Sequence, residues 1–455
     1  MITFLRNKFI GFWNGGHERS QKIKKNIIYS LLIKGTSVLI TFLLIRLTLH
    51  YVNQSQYGIW LTVGSLVAWM NTFDIGLSNG LRNKMAHALA LDQKDAIVKY
   101  ISTTYAILFL ISLVTFLFFF IIGSFFDWNK LLNINGTLDY SIWPIILIAL
   151  GSFCVQFFLQ PISSVLTATH QPFKSSLILL FGQVLTMVLV YLLTVFTKSS
   201  LMALVIVVTC SPVLIFLFAN LYYFRTEMKI FSPRFSAIDF SSAKSLLNVG
   251  GAFFFIQIGA LVLFQTDNIV ITRTLGPQEV TTFNLAYKLF SLVVIIFGIV
   301  MTPYWSAFTD AFAKNDMAWI KQSLNKMRKL WVYASIITIA LYFFSAIFYK
   351  IWLGSKIDIV IPNSLSLSMA IYVIFVTWQS IYAYALNGIG KLKIQLIFVI
   401  ATAIINIPLS VFLINRMGLA GTVIANIILV LIMDFVFTYQ INLIITQKAR
   451  GIWNK

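Results

Sequence analysis

Residues 200–223 read SLMALVIVVTCSPVLIFLFANLYY and contain no charged side chain. A helix needs roughly 20 predominantly apolar residues to cross the hydrocarbon core of a bilayer, and this stretch is long enough. Comparable apolar blocks recur along the chain, at 26–50, 57–80, 97–123, 141–168, 175–197, 245–273, 282–309, 330–353, 361–388, 392–414 and 418–445. The pattern predicts about twelve transmembrane helices.

The composition of the whole chain favours a membrane protein. Of 455 residues, 59% are hydrophobic and 11% are charged, and the mean hydropathy is +0.87. Soluble domains contain about 25% charged residues. Because lipid offers no partner to backbone polar groups, each crossing is a helix or part of a closed barrel, and these continuous apolar runs lack the alternation of a barrel. We therefore predict an all-α membrane protein.

The 34 Lys and Arg residues predict the orientation of the chain. Loops rich in Lys and Arg stay on the cytoplasmic side of a membrane. If the N-terminus is inside, every second loop is rich in these residues and the intervening loops hold few. Both termini are therefore predicted to be cytoplasmic, with the N-terminal MITFLRNKFIGFW as an interfacial amphipathic segment and not a cleaved signal.

The chain also divides into two similar halves. A polar linker at 224–244 separates a predicted six-helix bundle at 1–223, which includes the interfacial N-terminal segment, from a second bundle at 245–455. A shift of about 223 positions aligns VNQSQYGIW at 52–60 with LGPQEVTTF at 275–283. Parallel repeats of this kind are related by a pseudo-two-fold axis along the membrane normal. We expect a central cavity between the bundles and transport by alternating access.

Few charged side chains fall inside the predicted spans, and such residues usually face a wet cavity and have a function. They are Lys34, Arg46, Asp74, Asp267, Lys288 and Asp434. Cations in a cavity indicate an anionic cargo such as a phosphate or pyrophosphate. Structural alternatives stay open: Arg46 reaches the outer interface, Asp74 and Asp267 pair with the cations, and Asp434 is a hydrogen-bonding group.

Polar and aromatic side chains in the same spans are candidates for contacts with sugar hydroxyls and sugar rings. They are Asn71, Gln156, Gln257, Tyr287, Trp305 and Gln379. The alternative role for these residues is interhelical hydrogen bonding or a place in the aromatic belt at the membrane interface.

Several functions are not supported by the sequence. The net charge of +20 is spread over short loops on one face, which suits anionic lipid headgroups and not nucleic acid. Cys154 and Cys210 lie inside spans and are expected to be packing residues. The four histidines have no metal-ligand spacing, and no G-x-x-x-x-G-K-[ST] nucleotide-binding motif occurs. No cofactor or metal is therefore predicted.

Two segments resemble a known family. They are YGIWLTVGSLVAWMNTFDIGLSNGLRNKMA at 57–86 and FQTDNIVITRTLGPQEVTTFNLAYKL at 264–289. Both are similar to the corresponding segments of polysaccharide exporters, specifically the lipid-linked O-antigen repeat-unit flippases of the multidrug/oligosaccharidyl-lipid/polysaccharide superfamily. The likeness in length and span layout covers essentially the whole chain.

The resemblance implies a protein of the bacterial inner membrane that moves an undecaprenyl pyrophosphate-linked oligosaccharide from the cytoplasmic to the outer leaflet. It implies that Lys34, Arg46 and Lys288 are cationic cavity residues, with Arg82 at the cytoplasmic mouth and Arg273 near the outer one. Asp74, Asp267 and Asp434 are then candidates for coupling to H⁺ or Na⁺. A polysaccharide polymerase is a candidate partner.

Three other functions compete with this interpretation. A drug or cation antiporter of the same superfamily would need an acidic cavity, and here the intramembrane acids and bases are equal in number. A membrane polymerase or ligase typically carries a large outer loop, which is absent from the predicted topology. The third alternative is a scaffold that transports nothing.

Overall fold

The computed structural model describes residues 18–68, 74, 76–134, 141–169, 171–242, 266–354 and 357–454. Within these ranges the chain is helical and has no β-strand, so the predicted all-α class is confirmed. The α-helices are α1 Glu18–Tyr51, α2 Gln54–Ala68, α3 Leu77–Ala90, α4 Lys94–Gly123, α5 Trp128–Leu131, α6 Trp143–Leu159, α7 Pro161–Ala168, α8 Pro172–Phe196, α9 Leu201–Arg225, α10 266–275, α11 Pro277–Ala313, α12 Met317–Leu353, α13 Asn363–Ile389, α14 Lys393–Met417 and α15 Leu419–Ile445.

Ten helical segments in the described part of the chain are long and apolar enough to cross a membrane. The predicted spans at 57–80 and 245–273 lie partly outside the described residues, as does the interfacial segment at the N-terminus. The layout of twelve helices in two bundles therefore stays a prediction.

Helix boundaries differ from the predicted apolar blocks where polar residues extend a helix. The apolar block at 330–353 is only the second part of α12, whose first turn is capped by the Asp316 side chain accepting a hydrogen bond from the Trp319 backbone N–H at 2.9 Å. The block at 141–168 is divided between α6 and α7 at Pro161. Proline lacks the backbone N–H that would continue the hydrogen-bond ladder.

Contacts between Cα atoms divide the chain into two compact units. The first contains residues 1–52, 71–126 and 142–252, and the second contains 53–70, 127–141 and 253–455. This division differs from the predicted boundaries because α2 and α5 belong with the second unit. In the first unit, apolar side chains of α3, α4, α7, α8 and α9 form a core that includes Met85, Ile101 and Val165.

In the second unit, α10 and α11 form a hairpin at Gly276. This residue has φ 97° and ψ 169°, a conformation essentially restricted to glycine, and Pro277 occupies the first turn of α11. Asp267 precedes Gly276 by nine residues and Lys288 follows Pro277 by eleven. At 1.5 Å per residue both side chains therefore lie about 14–17 Å below the turn, on adjacent helices.

The start of α2 packs against the start of α11, so the two segments that the repeat alignment treats as equivalent touch each other. The Thr281 hydroxyl donates to the Gln54 carbonyl at 2.7 Å, and Gln54 Nε2 donates to the Gln278 carbonyl at 3.1 Å. One turn further, Gly58 lies against the Pro277 carbonyl so closely that no Cβ atom would fit. The absent side chain permits this close approach of the two backbones.

Candidate functional site

The candidate site is a cavity of about 340 Å³ within the second unit, which we call the Lys288 cavity. It lies between α2, the α10–α11 hairpin, α13 and α15. A volume of this size is typical of ligand sites. The lining residues are Trp60, Leu61, Gly64, Ser65, Ala68, Asp267, Asn268, Phe283, Asn284, Tyr287, Lys288, Met369, Tyr372, Val423 and Asn426.

Lys288 is the cationic residue of this lining. Its side chain is partly buried and makes no ion pair within the described ranges. Tyr287 is its neighbour, and the Tyr287 ring stacks on Phe283 with centroids 6.5 Å apart. An ammonium group beside aromatic faces can bind an anionic group and a sugar ring side by side.

Three polar side chains link α2 to the hairpin between the level of Lys288 and the Gly276 turn. Asn284 Nδ2 donates to Asn268 Oδ1 at 2.7 Å, and Asn268 Nδ2 donates to Ser65 Oγ at 2.8 Å. The Thr62 and Thr272 hydroxyls form a further hydrogen bond of 2.5 Å between α2 and α10. The cavity wall is therefore held by direct hydrogen bonds between side chains from three helices.

Asp267 belongs to a second network, which joins α10, α14 and α15. Asn426 Nδ2 donates to Asp267 Oδ2 at 2.7 Å, and Asn406 Nδ2 donates to Asn426 Oδ1 at 2.7 Å. Asp267 Oδ1 is buried and has no hydrogen-bond partner within the described ranges. Among the described residues Asp267 forms no ion pair, and its partner is the amide of Asn426. Within this part of the chain, the alternative that Asp267 pairs with an intramembrane cation is therefore wrong. One carboxylate oxygen therefore remains available for a proton or a small cation.

The other predicted residues of the second unit lie away from this lining. Asp434 lines a different cavity, described below, and Arg273 is exposed near the end of α10, where its carbonyl accepts from Asn133 Nδ2 at 3.2 Å. Trp305 packs its ring edge-on against Tyr384 at 6.0 Å. Gln379 is partly buried, and its Nε2 has no partner in the described part of the chain.

The predicted residues of the first unit are spread over α1, α3 and α6 and the residues before α3. Lys34 and Arg46 are exposed on α1, and Arg82 is exposed on α3. Asp74 accepts hydrogen bonds from the backbone N–H and the hydroxyl of Ser78 at 3.1 and 3.0 Å, so it stabilises the start of α3 and forms no ion pair among the described residues. Gln156 is partly buried on α6. Asn71 and Gln257 lie outside the described residues.

Several lining residues were not singled out from the sequence. Asn284 precedes Lys288 by one helical turn, so the spacing alone could have placed it on the same face of α11. Trp60, Tyr372 and Asn426 come from three other helices. No sequence spacing connects them to Lys288, since their proximity arises from tertiary packing.

The sequence is similar to that of a known family and of proteins named for O-antigen export. Residues 23–309 match the family described as polysaccharide biosynthesis protein. The chain is 24% identical over 391 residues to the "Putative O-antigen export protein" of Yersinia pseudotuberculosis, covering 78% of this chain and 81% of that protein. It is 24% identical over 398 residues to the "Putative O-antigen transporter" of Salmonella typhi, covering 83% and 86%.

Solved structures agree on the fold. The inward-facing conformation of a multidrug resistance MATE family transporter of the MOP superfamily aligns with a TM-score of 0.74 at 13% identity, over 93% of this chain and 100% of that one. A MOP superfamily transporter from Pyrococcus furiosus aligns with a TM-score of 0.64 at 14% identity, over 95% and 97%. The family match spans more than half of the sequence, and the chain therefore belongs to the polysaccharide biosynthesis protein family, with the fold of MOP superfamily transporters.

Proposed function

We propose that the protein is a flippase that translocates an undecaprenyl pyrophosphate-linked oligosaccharide from the cytoplasmic to the outer leaflet of the bacterial inner membrane by alternating access. The main support is the Lys288 cavity, where one cation without an ion pair among the described residues lies beside aromatic and amide side chains. The names of the O-antigen relatives support the same class of cargo. In this proposal the protein transports its substrate without chemical change.

The lining suits the headgroup of such a lipid. A lysine ammonium attracts phosphate oxygens as a point charge, and Asn and Ser side chains hydrogen-bond sugar hydroxyls. Trp60, Phe283 and Tyr372 offer ring faces and edges for sugar rings. We propose that the polyprenyl tail stays in lipid, because only the charged and hydroxylated head meets a large desolvation barrier in hydrocarbon.

The remaining sequence-based assignments are part of this proposal. Lys34 and Arg46 would extend the path for the anion, with Arg82 and Arg273 at its two mouths. Both termini would be cytoplasmic, and a polysaccharide polymerase would receive the product. Gln156, Trp305 and Gln379 would contact sugars only in another conformation, since they are outside the Lys288 lining.

The direct test uses purified protein in proteoliposomes with a fluorescent lipid-linked oligosaccharide in both leaflets. We expect the protein to increase the fraction that an externally added reagent can modify, whereas protein-free liposomes show no increase. Transport of organic cations with no movement of the glycolipid would contradict the flippase proposal. A glycosidic bond made or cleaved in the assay would indicate the polymerase or ligase alternative.

One observation favours the antiporter as a second candidate. Asp434 lines a separate cavity of about 580 Å³ that also contains Trp331, Trp378 and Tyr439. Its side chain is buried, and both carboxylate oxygens have no partner in the described part of the chain. An acid among aromatic rings suits an organic cation. The proteoliposome assay therefore includes a cationic dye as a competing cargo.

We expect replacement of Asp267 by asparagine to remove the dependence of transport on an ion gradient. The change keeps the size of the side chain but removes the carboxylate that could carry a proton or bind Na⁺ beside the cargo. Translocation is measured in vesicles with an imposed proton gradient, sodium gradient or membrane potential. Asp92→Asn is the matched control, because this acid is exposed between α3 and α4 and lines neither cavity. If Asp267→Asn responds to gradients like the unmodified protein, Asp267 is not the coupling residue.

A further inference from the structure

The segment at 226–242, which we call the linker segment, is fixed to α4 by polar contacts. The Arg234 backbone N–H donates to Ser102 Oγ at 2.9 Å, and the Asp239 N–H donates to Thr103 Oγ1 at 3.0 Å. The Asp239 carboxylate also forms an ion pair of 2.6 Å with Lys99. These contacts hold the backbone of the segment against one face of the helix.

Their position sets the depth of the linker segment. Lys99 is the last charged residue before the apolar run of α4, and Ser102 and Thr103 follow within about one turn. The linker segment therefore lies where α4 is expected to enter hydrocarbon. It also exposes large apolar side chains, with Phe235 94% exposed and Phe240 57% exposed. Exposed aromatic side chains beside a cation, here Arg234, are typical of a surface that rests in the membrane interface.

Between the linker segment and α4 lies an apolar cavity of about 440 Å³ in the first unit. Its lining includes the rings of Phe109, Phe158, Phe235 and Phe240. Phe109 is itself half exposed on the predicted spanning helix, so the cavity is continuous with the exposed apolar surface of that helix. The space is therefore suited to a hydrocarbon chain entering from the bilayer.

Arg234 is the charged member of this lining. Its side chain is exposed and makes no ion pair with any residue that the structure describes. The neighbouring acid, Asp239, is already paired with Lys99. A guanidinium group at the edge of an apolar cavity is complementary to a phosphate attached to a hydrocarbon chain.

We propose that this cavity binds an anionic phospholipid, with an acyl chain among the phenylalanine rings and the phosphate on Arg234. The site is distinct from the Lys288 cavity, and its occupant would be a resident lipid of the predicted cytoplasmic leaflet. Bound lipid would cover Phe235 and Phe240 and hold the linker segment against α4.

The test measures lipid retained by the full-length protein. Protein is reconstituted in phosphatidylcholine nanodiscs with a minority of phosphatidylglycerol, released, and analysed by native mass spectrometry. We expect phosphatidylglycerol to be retained in preference to phosphatidylcholine, and Arg234→Gln to lower its retention about fivefold, as expected for one arginine near a charged surface. Arg450→Gln, an exposed arginine outside the cavity, is the control and should retain the lipid.

A second variant tests the apolar part of the site. Leu110→Trp places a larger side chain in the lining and should lower retention although Arg234 is intact. Equal loss in Arg234→Gln and Arg450→Gln, or equal retention of the two lipids, would overturn the proposal. Displacement of phosphatidylglycerol by undecaprenyl phosphate at equal concentration would also overturn it, because the cavity would then belong to the cargo.

Discussion

Replacing Lys288 with alanine is expected to lower translocation of the lipid-linked oligosaccharide about ten- to a hundredfold, since a hydrogen bond to a charged group contributes ~1.5–3 kcal/mol. The change removes the cation of the Lys288 cavity and leaves the aromatic and amide lining in place. The effect should appear in the proteoliposome assay and as loss of surface polysaccharide in cells, at equal protein levels.

Conservative and distant variants separate charge from packing. Lys288→Arg keeps the charge but changes its shape, so we expect partial activity. Lys326→Ala removes an exposed lysine of α12 that is outside the lining, and transport should be unchanged. Lys34→Ala is the companion test of the proposed path for the anion along α1. Full transport by Lys288→Ala would refute the proposed role of this cavity in binding the anion.

The sequence was sufficient to predict the fold class, because hydropathy acts on each segment independently of the others. Continuous apolar runs such as 200–223 correspond to a helix at Leu201–Arg225. Helix ends were harder to predict where a helix begins with polar residues, because hydropathy does not mark such residues as part of a span. The first turns of α12 are polar, and their start depends on the capping side chain of Asp316.

The candidate site was predictable only where two of its residues are close in sequence. Asp267 and Lys288 flank the Gly276–Pro277 turn at similar distances, so a hairpin brings them to one level of the membrane. Asp434 had the same sequence signal, a lone acid in an apolar span, yet it lines a different cavity. Which way a side chain on α15 points depends on packing against α13, and hydropathy carries no information about it.

The close contact between α2 and α11 leads to the second large effect. Gly58→Ala adds a methyl group where the Pro277 carbonyl already lies, and a backbone atom cannot rotate away as a side chain would. Extra atoms in a well-packed contact cost roughly 1–3 kcal/mol. We therefore expect α2 to move away from α11 and transport to fall, because α2 supplies Trp60 and Ser65 to the Lys288 cavity.

The movement of α2 can be measured by a disulfide between α2 and α10, the other helix of the hairpin. Thr62 and Thr272 have hydroxyls 2.5 Å apart, so cysteines at both positions should cross-link readily in a background where Cys154 and Cys210 are replaced by alanine. Gly58→Ala should slow this cross-linking about tenfold, as a cost of ~1.4 kcal/mol would predict.

Gly64→Ala is the matched control, because it lies on the same helix and a Cβ atom there meets nothing within 4 Å. That variant should cross-link at the original rate and gain helix stability from the loss of a glycine. If the two alanine variants cross-link equally fast, the approach of α2 to α11 does not depend on Gly58. Slower cross-linking in Gly58→Ala alone would instead show that the absence of a side chain at position 58 sets the position of the cavity wall that faces Lys288.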